Sequence, residues 1–169
     1  MTGPSPVRWC RIARIHPALA AGLMVVALFA AASRSAAASP ADEVQELVER
    51  AAAHIQAVGG ARAFAGITRP DGGFVNGTLY VFCSTADGTM LSHGGNPKLV
   101  GKNLIAVRDP EGTPTTAEII RVGLTQGKGW LEYLWPNPST GRIQRKVTYV
   151  VRIDDRTVCA SGYYKPISP

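Results

Sequence analysis

Apolar residues recur at steps of three and four along residues 40–58, which is the spacing of one face of an α-helix. The apolar positions are Val44, Leu47, Val48, Ala51, Ile55 and Val58. Ser39 can cap the start of this helix, Pro40 suits its first turn, and Gly59 ends it. The pattern predicts a long amphipathic helix at the start of the folded domain.

A period of two replaces the helical period at Thr78. Residues 78–84 are rich in aromatic and β-branched side chains and predict a strand. A turn at residues 86–88 leads into residues 89–92, so the two segments read as a hairpin. Residues 93–114 are dense in Gly, Pro and Asn, which predicts a long ordered loop of the kind that often carries functional residues.

The rest of the chain continues with one helix and three strands. The pattern predicts a helix over residues 115–125 and strands over residues 130–135, 142–153 and 157–164. A shorter helical turn is expected soon after the first helix. The order of helix, two strands, helix and three strands predicts an α+β domain with a mostly antiparallel five-stranded sheet.

The first 38 residues have the pattern of an export signal. Arg8, Arg11 and Arg14 precede an uncharged apolar run over residues 17–32, and small residues follow at 36–38. An uncleaved membrane anchor is the alternative, but a spanning helix needs about 20 strongly apolar residues, and this run is shorter and diluted by alanine. We therefore expect cleavage near residue 38, a periplasmic or secreted protein, and no membrane span in the mature chain.

Removal of this signal changes both the length and the net charge of the chain. A single domain is expected over residues 39–165, with a short tail at 166–169. The whole chain has a net charge of +6, but four arginines and no acid lie in the signal, which leaves 14 basic against 12 acidic residues, or +2. Because the remaining basic residues are scattered, a nucleic-acid partner is not expected.

Catalytic and metal-binding motifs are not found in the mature sequence. His54 and His93 have no metal-ligand spacing, and no P-loop, nucleophile elbow or dinucleotide-binding glycine pattern occurs. Asp154 and Asp155 stand between two predicted strands, where adjacent acids usually form a solvated turn. The sequence predicts no enzyme activity, no cofactor and no metal.

Two of the three cysteines, Cys83 and Cys159, remain after removal of the signal. An even number of cysteines in an oxidising compartment is compatible with a disulfide. Two buried thiols are equally compatible, because free cysteine is among the most buried residue types.

Aromatic residues with polar neighbours give the stronger functional signal. Tyr80 and Phe82 share one strand face, as do Tyr133 and Trp135, and further rings lie on strands expected to be neighbours. A binding pocket needs apolar walls with a few convergent polar groups. The predicted ligand-binding residues are Tyr80, Phe82, His93, Trp130, Tyr133, Trp135, Lys146 and Tyr149.

Two blocks of the sequence resemble the single Cache domain, second type, of bacterial sensors. The blocks are YVFCSTADGTMLSHGGNPKLVGKNL from Tyr80 and GWLEYLWPNPSTGRIQRKVTYVVRIDDRTVCASGYY from Gly129. The resemblance implies a PAS-like five-stranded antiparallel sheet behind a long N-terminal helix, with flanking short helices and a pocket between the sheet and the long loop. It also implies that the first and last strands are neighbours, which would bring Cys83 and Cys159 within reach of a disulfide.

The resemblance carries expectations about function as well. It implies a small carboxylate or amino acid as ligand, with His93 and Lys146 as charge partners and tyrosines as donors. Because the given sequence ends soon after the last predicted strand, we expect a non-enzymatic, extracytoplasmic binding module without its own transducer. A membrane sensor or transporter would then be its partner. The alternative is a structural or protein-interaction module whose Cache fold has no pocket.

Overall fold

The computed structural model describes residues 38–166. The predicted export signal, residues 1–38, lies outside this part except for its last residue, and only Pro166 of the predicted tail is described. Among the described residues, no helix combines the length and the apolar character needed to cross a bilayer.

Two helices begin the domain, α1 over Pro40–Val58 and α2 over Gly60–Thr68. Ser39 and Asp42 form a capping box, in which each side chain accepts a hydrogen bond from the other's backbone N–H. Gly59 separates the helices at φ 83°, a conformation that costs glycine little. The predicted first helix is confirmed, and the expected helical turn after it is a full nine-residue helix.

Five strands form one antiparallel sheet in the order β4-β3-β7-β6-β5. They are β3 over Phe82–Thr85, β4 over Met90–His93, β5 over Lys128–Pro136, β6 over Ile143–Asp154 and β7 over Thr157–Tyr164. The remaining helix, α3, spans Thr115–Gln126, and a 3-10 helix spans Pro97–Leu99. The α+β class and the five-stranded antiparallel sheet predicted from the sequence are confirmed.

The predicted strand over residues 78–84 is divided in two. Its first part is β2 (Leu79–Tyr80), which pairs with β1 (Val75–Asn76) in a separate two-stranded sheet. Between β2 and β3, the N–H of Val81 donates to the carbonyl of Phe74 at 3.1 Å. This hydrogen bond continues the β1–β2 ladder by one more pair, whereas the carbonyl of Val81 accepts from the N–H of Gly94 at 2.9 Å in continuation of the β3–β4 ladder. The chain therefore changes its pairing partner at Val81, which a propensity pattern cannot foresee.

Alternate residues of the sheet face two different cores. Phe82, Val150 and Val158 pack with α3 on one face, which is called the α3 face below. Cys83 and Cys159 pack with α1 and α2 on the opposite face, the α1 face. The sheet is therefore a central layer with helices on both sides.

A disulfide joins Cys83 of β3 to Cys159 of β7. The two residues are direct partners in the β3–β7 ladder, and their Cα atoms are 4.1 Å apart. This pairing confirms that the first and last strands of the sheet are neighbours. It also resolves the choice between bonded and free thiols in favour of the bond.

Candidate functional site

A cavity of about 630 Å³ lies between the long loop after β4 and the ends of β5 and β6. Leu99, Val107 and Pro110 contribute apolar walls from the loop, and Leu134 and Ile143 do so from the strands. Cavities that bind small molecules usually have volumes of roughly 300–1,000 Å³ and mostly apolar walls. This space, called the outer cavity below, has the size and character of a ligand pocket.

The inner end of the outer cavity is formed by Tyr80, His93 and Trp135. The same three side chains also line a second space of about 10 Å³ under α3, the inner cavity, together with Tyr133 and Thr115. That volume holds about one water molecule. The three side chains are therefore the boundary between an open space and a closely packed polar interior.

Lys146 lies in this interior without any exposed surface. Strand β6 places it between Tyr133 of β5 and Tyr164 of β7, its partners in the two ladders. Its Nζ atom lies 3.8 Å from the ring centroid of Tyr80 and 5.2 Å from that of Phe82. Among the described residues, Nζ has no hydrogen-bond partner.

The burial of Lys146 determines its protonation. Removal from water penalises the ammonium form, so the pKa of Lys146 lies well below its usual value. The faces of the surrounding rings attract a cation, but no carboxylate pairs with Nζ among the described residues. Among the described residues, no acidic side chain therefore pairs with this amine.

His93 is the second basic group of the interior and is 2 % exposed. Its Nδ1 accepts a hydrogen bond from the N–H of Asn96 at 2.9 Å, so the neutral ring carries its proton on Nε2. Burial, and secondarily the charge of a protonated Lys146, lower the pKa of His93 to about 3. Because each cation would repel the other and burial penalises both, the protein surroundings favour both groups in their neutral forms.

Hydroxyl groups complete the polar interior. The Tyr164 hydroxyl donates to the carbonyl of Pro136 at 2.8 Å and lies 3.2 Å from the Tyr80 hydroxyl, which can donate to it. The Tyr133 hydroxyl accepts from Thr148 Oγ1 at 3.2 Å. Burial raises the pKa of Tyr164 to about 12 and raises those of Tyr80 and Tyr133 as well, so these phenols stay protonated donors.

The structure brings most of the sequence-predicted site residues together on the α3 face. These are Tyr80, Phe82, His93, Tyr133, Trp135 and Lys146. Trp130 and Tyr149 pair with each other across β5 and β6, with ring centroids 4.9 Å apart. Tyr149 packs against Val44 and Val48 of α1, so this pair lies on the α1 face, away from both cavities.

Several lining residues did not stand out in the sequence. Thr115 lines the inner cavity, and its buried Oγ1 has no hydrogen-bond partner among the described residues. The apolar walls of the outer cavity, such as Leu99 and Val107, come from the glycine- and proline-rich segment. Its composition predicted a functional loop but not which of its side chains face the sheet.

Comparison with protein families places most of the chain in one of them. The family described as Single Cache domain 2 matches residues 22–158. The chain is 34% identical over 61 residues to the methyl-accepting chemotaxis protein McpP of Pseudomonas putida, covering 36% of this chain and 11% of that protein. It is 34% identical over 86 residues to the sensor histidine kinase MctS of Rhizobium johnstonii, covering 50% of this chain and 18% of that protein. The chain thus spans less than a fifth of the length of either relative.

Solved structures share the same fold. A methyl-accepting chemotaxis protein from Vibrio parahaemolyticus matches with a TM-score of 0.61 at 22% identity, covering 72% of this chain and 86% of that one. A periplasmic sensor domain of a chemotaxis protein matches with a TM-score of 0.57 at 28% identity, covering 72% and 88%. A Cache chemosensory domain described for carboxylic acid recognition matches with a TM-score of 0.63 at 22% identity, covering 75% and 93%.

Proposed function

The chain belongs to the single Cache domain 2 family, and from this premise we propose that it is an extracytoplasmic sensor-type domain that binds a small carboxylate without transforming it. The observation that carries the proposal is the buried, unpartnered Nζ of Lys146 inside a ring of aromatic side chains. Family members are ligand-binding sensor domains, and His93 and Lys146 are the two groups that suit an anion.

The energetics of Lys146 support an anionic ligand. A buried polar group without a hydrogen-bond partner costs about 1–3 kcal/mol of stability. A carboxylate beside Nζ would remove this cost, because it supplies both the opposite charge and an acceptor for a charge-assisted hydrogen bond. Nε2–H of His93 and the hydroxyl of Thr115 are further donors at the same place. A buried amine that finds no hydrogen-bond partner among the described residues but gains one from an anion is what a carboxylate sensor needs.

Access to Lys146 requires a movement of Tyr80. A Cβ at Gly95 would come within 2.6–2.7 Å of three ring atoms of Tyr80, so the Gly95 backbone already covers one face of this ring. Nζ of Lys146 lies 3.8 Å from the centroid of the same ring, and Lys146 itself does not line the outer cavity. Because the inner cavity of about 10 Å³ has no room for a carboxylate, we expect the Tyr80 ring to shift when the anion enters.

Relatives and composition add support to the wider proposal. One structural neighbour is described for carboxylic acid recognition, and the curated relatives are a chemotaxis receptor and a sensor kinase. The export signal expected over residues 1–38 agrees with a periplasmic or secreted location, and the ligand-binding domain over 39–165 would work with a membrane sensor or transporter. The alternative of a pocketless interaction module is disfavoured by the outer cavity of about 630 Å³.

Thermal unfolding tests the proposal directly. The purified domain is heated with propionate, pyruvate, hexanoate or alanine, and with sodium chloride at the same ionic strength. A ligand at about 100 times its Kd adds about 2.7 kcal/mol to the free energy of unfolding. For a domain of this size, that is a rise in Tm of roughly 5–10 °C.

Propionamide is the matched control, because it has the shape of propionate without the charge. At least one carboxylate should raise Tm while propionamide leaves it unchanged. A folded protein whose Tm responds to no carboxylate would sink the proposal.

A further inference from the structure

Resting on the proposed function, we propose that the site selects monocarboxylates with an extended apolar body, alkyl or aryl, over acetate-sized acids and amino acids. The carboxylate would lie beside Nζ of Lys146, past the boundary formed by Tyr80, His93 and Trp135, and the apolar body would extend into the outer cavity. The inference rests on three features of the outer cavity: its volume, its apolar walls and the hydrogen bonds that its charged residues already make with the backbone.

The outer cavity is much larger than a short acid requires. Its volume of about 630 Å³ corresponds to roughly 20 water molecules in the liquid. Acetate has only a few non-hydrogen atoms, so it would leave most of this space to water. An acid with roughly six to ten carbon atoms fills the space far better.

The walls of the outer cavity favour an apolar occupant. Leu99, Val107 and Pro110 face Leu134, Pro138 and Ile143 across it. Burial of one methylene in such surroundings is worth about 0.8 kcal/mol, which converts to a roughly threefold to fourfold gain in affinity. We therefore expect the affinity to rise with each added methylene until the cavity is full.

Among the described residues that line the outer cavity, Asp109 is the single acid, and both of its carboxylate oxygens already accept hydrogen bonds from backbone N–H groups. Asp109 Oδ1 accepts hydrogen bonds from the N–H groups of Glu111 and Thr113 at 3.0 and 2.8 Å. Its Oδ2 accepts from the N–H of Leu134 at 2.9 Å and so ties the loop to β5. An amino acid's ammonium group would have to compete with these three donors, which disfavours amino acids.

Arg108 is the single cation among the described residues that line the outer cavity, and it lies exposed at the rim. Its Nη1 donates to the carbonyl of Gly112 at 2.9 Å, and Asp109 is its chain neighbour. A second carboxylate there would gain only an attraction that solvent screens. The preference is therefore for one carboxylate per ligand.

A homologous series of acids tests the inference by isothermal titration calorimetry. Acetate, butanoate, hexanoate, octanoate and phenylacetate are compared with glutamate and suberate, all well below any micelle concentration. We expect Kd to fall roughly threefold to fourfold per added methylene up to hexanoate or beyond. Glutamate should not bind, and suberate should bind more weakly than octanoate.

Ile143→Asn tests the position of the apolar body. Ile143 is 50% exposed at the cavity mouth, so this substitution should not unfold the protein. It should weaken octanoate binding at least fivefold and weaken butanoate binding much less. Ile105→Asn is the matched control, because Ile105 is 39% exposed and does not line the cavity.

The outcomes separate this inference from the proposed function. If acetate binds as tightly as hexanoate, or glutamate binds best, the apolar-body preference is wrong while carboxylate binding stands. If no acid of any length binds, the proposed function itself fails. Equal loss of octanoate affinity in both asparagine variants would also overturn the inference.

Discussion

Lys146 and His93 place two basic side chains in one buried site without an acidic partner among the described residues. Burial lowers the pKa of each, and the two groups disfavour each other's charge. A carboxylate beside them reverses both effects, because an anion stabilises the protonated forms. Ligand binding is therefore expected to take up a proton from solution.

Two buried groups with lowered pKa values, Lys146 and His93, make stability fall as the pH decreases, and the contribution of His93 begins below about pH 6.5. The pKa of His93 is about 6.5 in an unfolded chain and about 3 in the folded protein. Between these values the unfolded chain binds a proton that the folded protein does not, so acid favours unfolding. The free energy of unfolding should fall by up to about 1.4 kcal/mol per pH unit from this group as the pH decreases from about 6 towards 4.

Urea unfolding of the empty protein at pH 7.5, 6.5, 5.5 and 4.5 measures this dependence. His93→Gln should reduce the loss of stability below pH 6.5 and leave the part that is due to Lys146, whereas the control His54→Gln, in α1, should keep the wild-type slope. Identical slopes for His93→Gln and the wild type would show that His93 titrates normally in the folded protein.

At the level of single residues, the sequence predicted the identity of Lys146 and His93 but not the full arrangement. Lys146 stands in phase with Thr148 and Val150 along β6, so strand alternation places it on a buried face. The same alternation puts Trp130 and Tyr133 on opposite faces, because three positions separate them. Aromatic character alone therefore overpredicted the site, and strand parity identifies Trp130 and Tyr149 as the residues that lie elsewhere.

At the level of elements, period and turn chemistry predicted nearly every helix and strand. The break between β2 and β3 was missed because it depends on a change of pairing partner at Val81, whose N–H bonds to Phe74 and whose carbonyl accepts from Gly94. The disulfide was left open for the same reason, since the parity of cysteines does not reveal which strands are neighbours. The expectation that the first and last strands are neighbours came from the family resemblance, and the β3–β7 register shows it directly.

The Cys83–Cys159 bond should contribute substantially to stability. It closes a loop with a sequence separation of 76, which restricts the unfolded chain. Loop-closure entropy predicts a loss of about 4 kcal/mol when the bond is removed, with observed losses of 2–5 kcal/mol for small domains.

The measurement is urea unfolding of the double variant Cys83→Ala with Cys159→Ala. Its midpoint should lie well below that of the oxidised wild type and should not change with dithiothreitol. Wild-type protein whose reduction is verified by mass spectrometry should approach the variant. An unchanged midpoint after verified reduction would contradict a structural role for the bond.

At the level of the whole molecule, the sheet separates two kinds of core. The α1 face contains the disulfide and apolar packing, whereas the α3 face contains the cavities and the buried basic groups. Stability and binding are therefore assigned largely to opposite faces of one sheet. Substitutions on the α1 face should change the free energy of unfolding more than they change ligand affinity.

The fold class and the family could be predicted from the sequence, but the ligand could not. Motifs in order along the chain identify a Cache domain, since they record strands and turns that local chemistry determines. The size of the outer cavity depends on how the glycine- and proline-rich loop is held by Asp109 against β5, a contact across 25 positions of the chain. Ligand selectivity therefore depends on tertiary packing that composition does not encode.

The most direct test of the central claim is carboxylate binding by Lys146→Met. Methionine fills a similar volume without the amine, so the variant should fold and be about 1–3 kcal/mol more stable than the wild type in urea. Calorimetry with propionate and hexanoate should show at least a hundredfold loss of affinity. Lys128→Met, which removes an exposed lysine at the far end of β5, should bind as the wild type does. Wild-type affinity in a folded Lys146→Met variant would contradict the account.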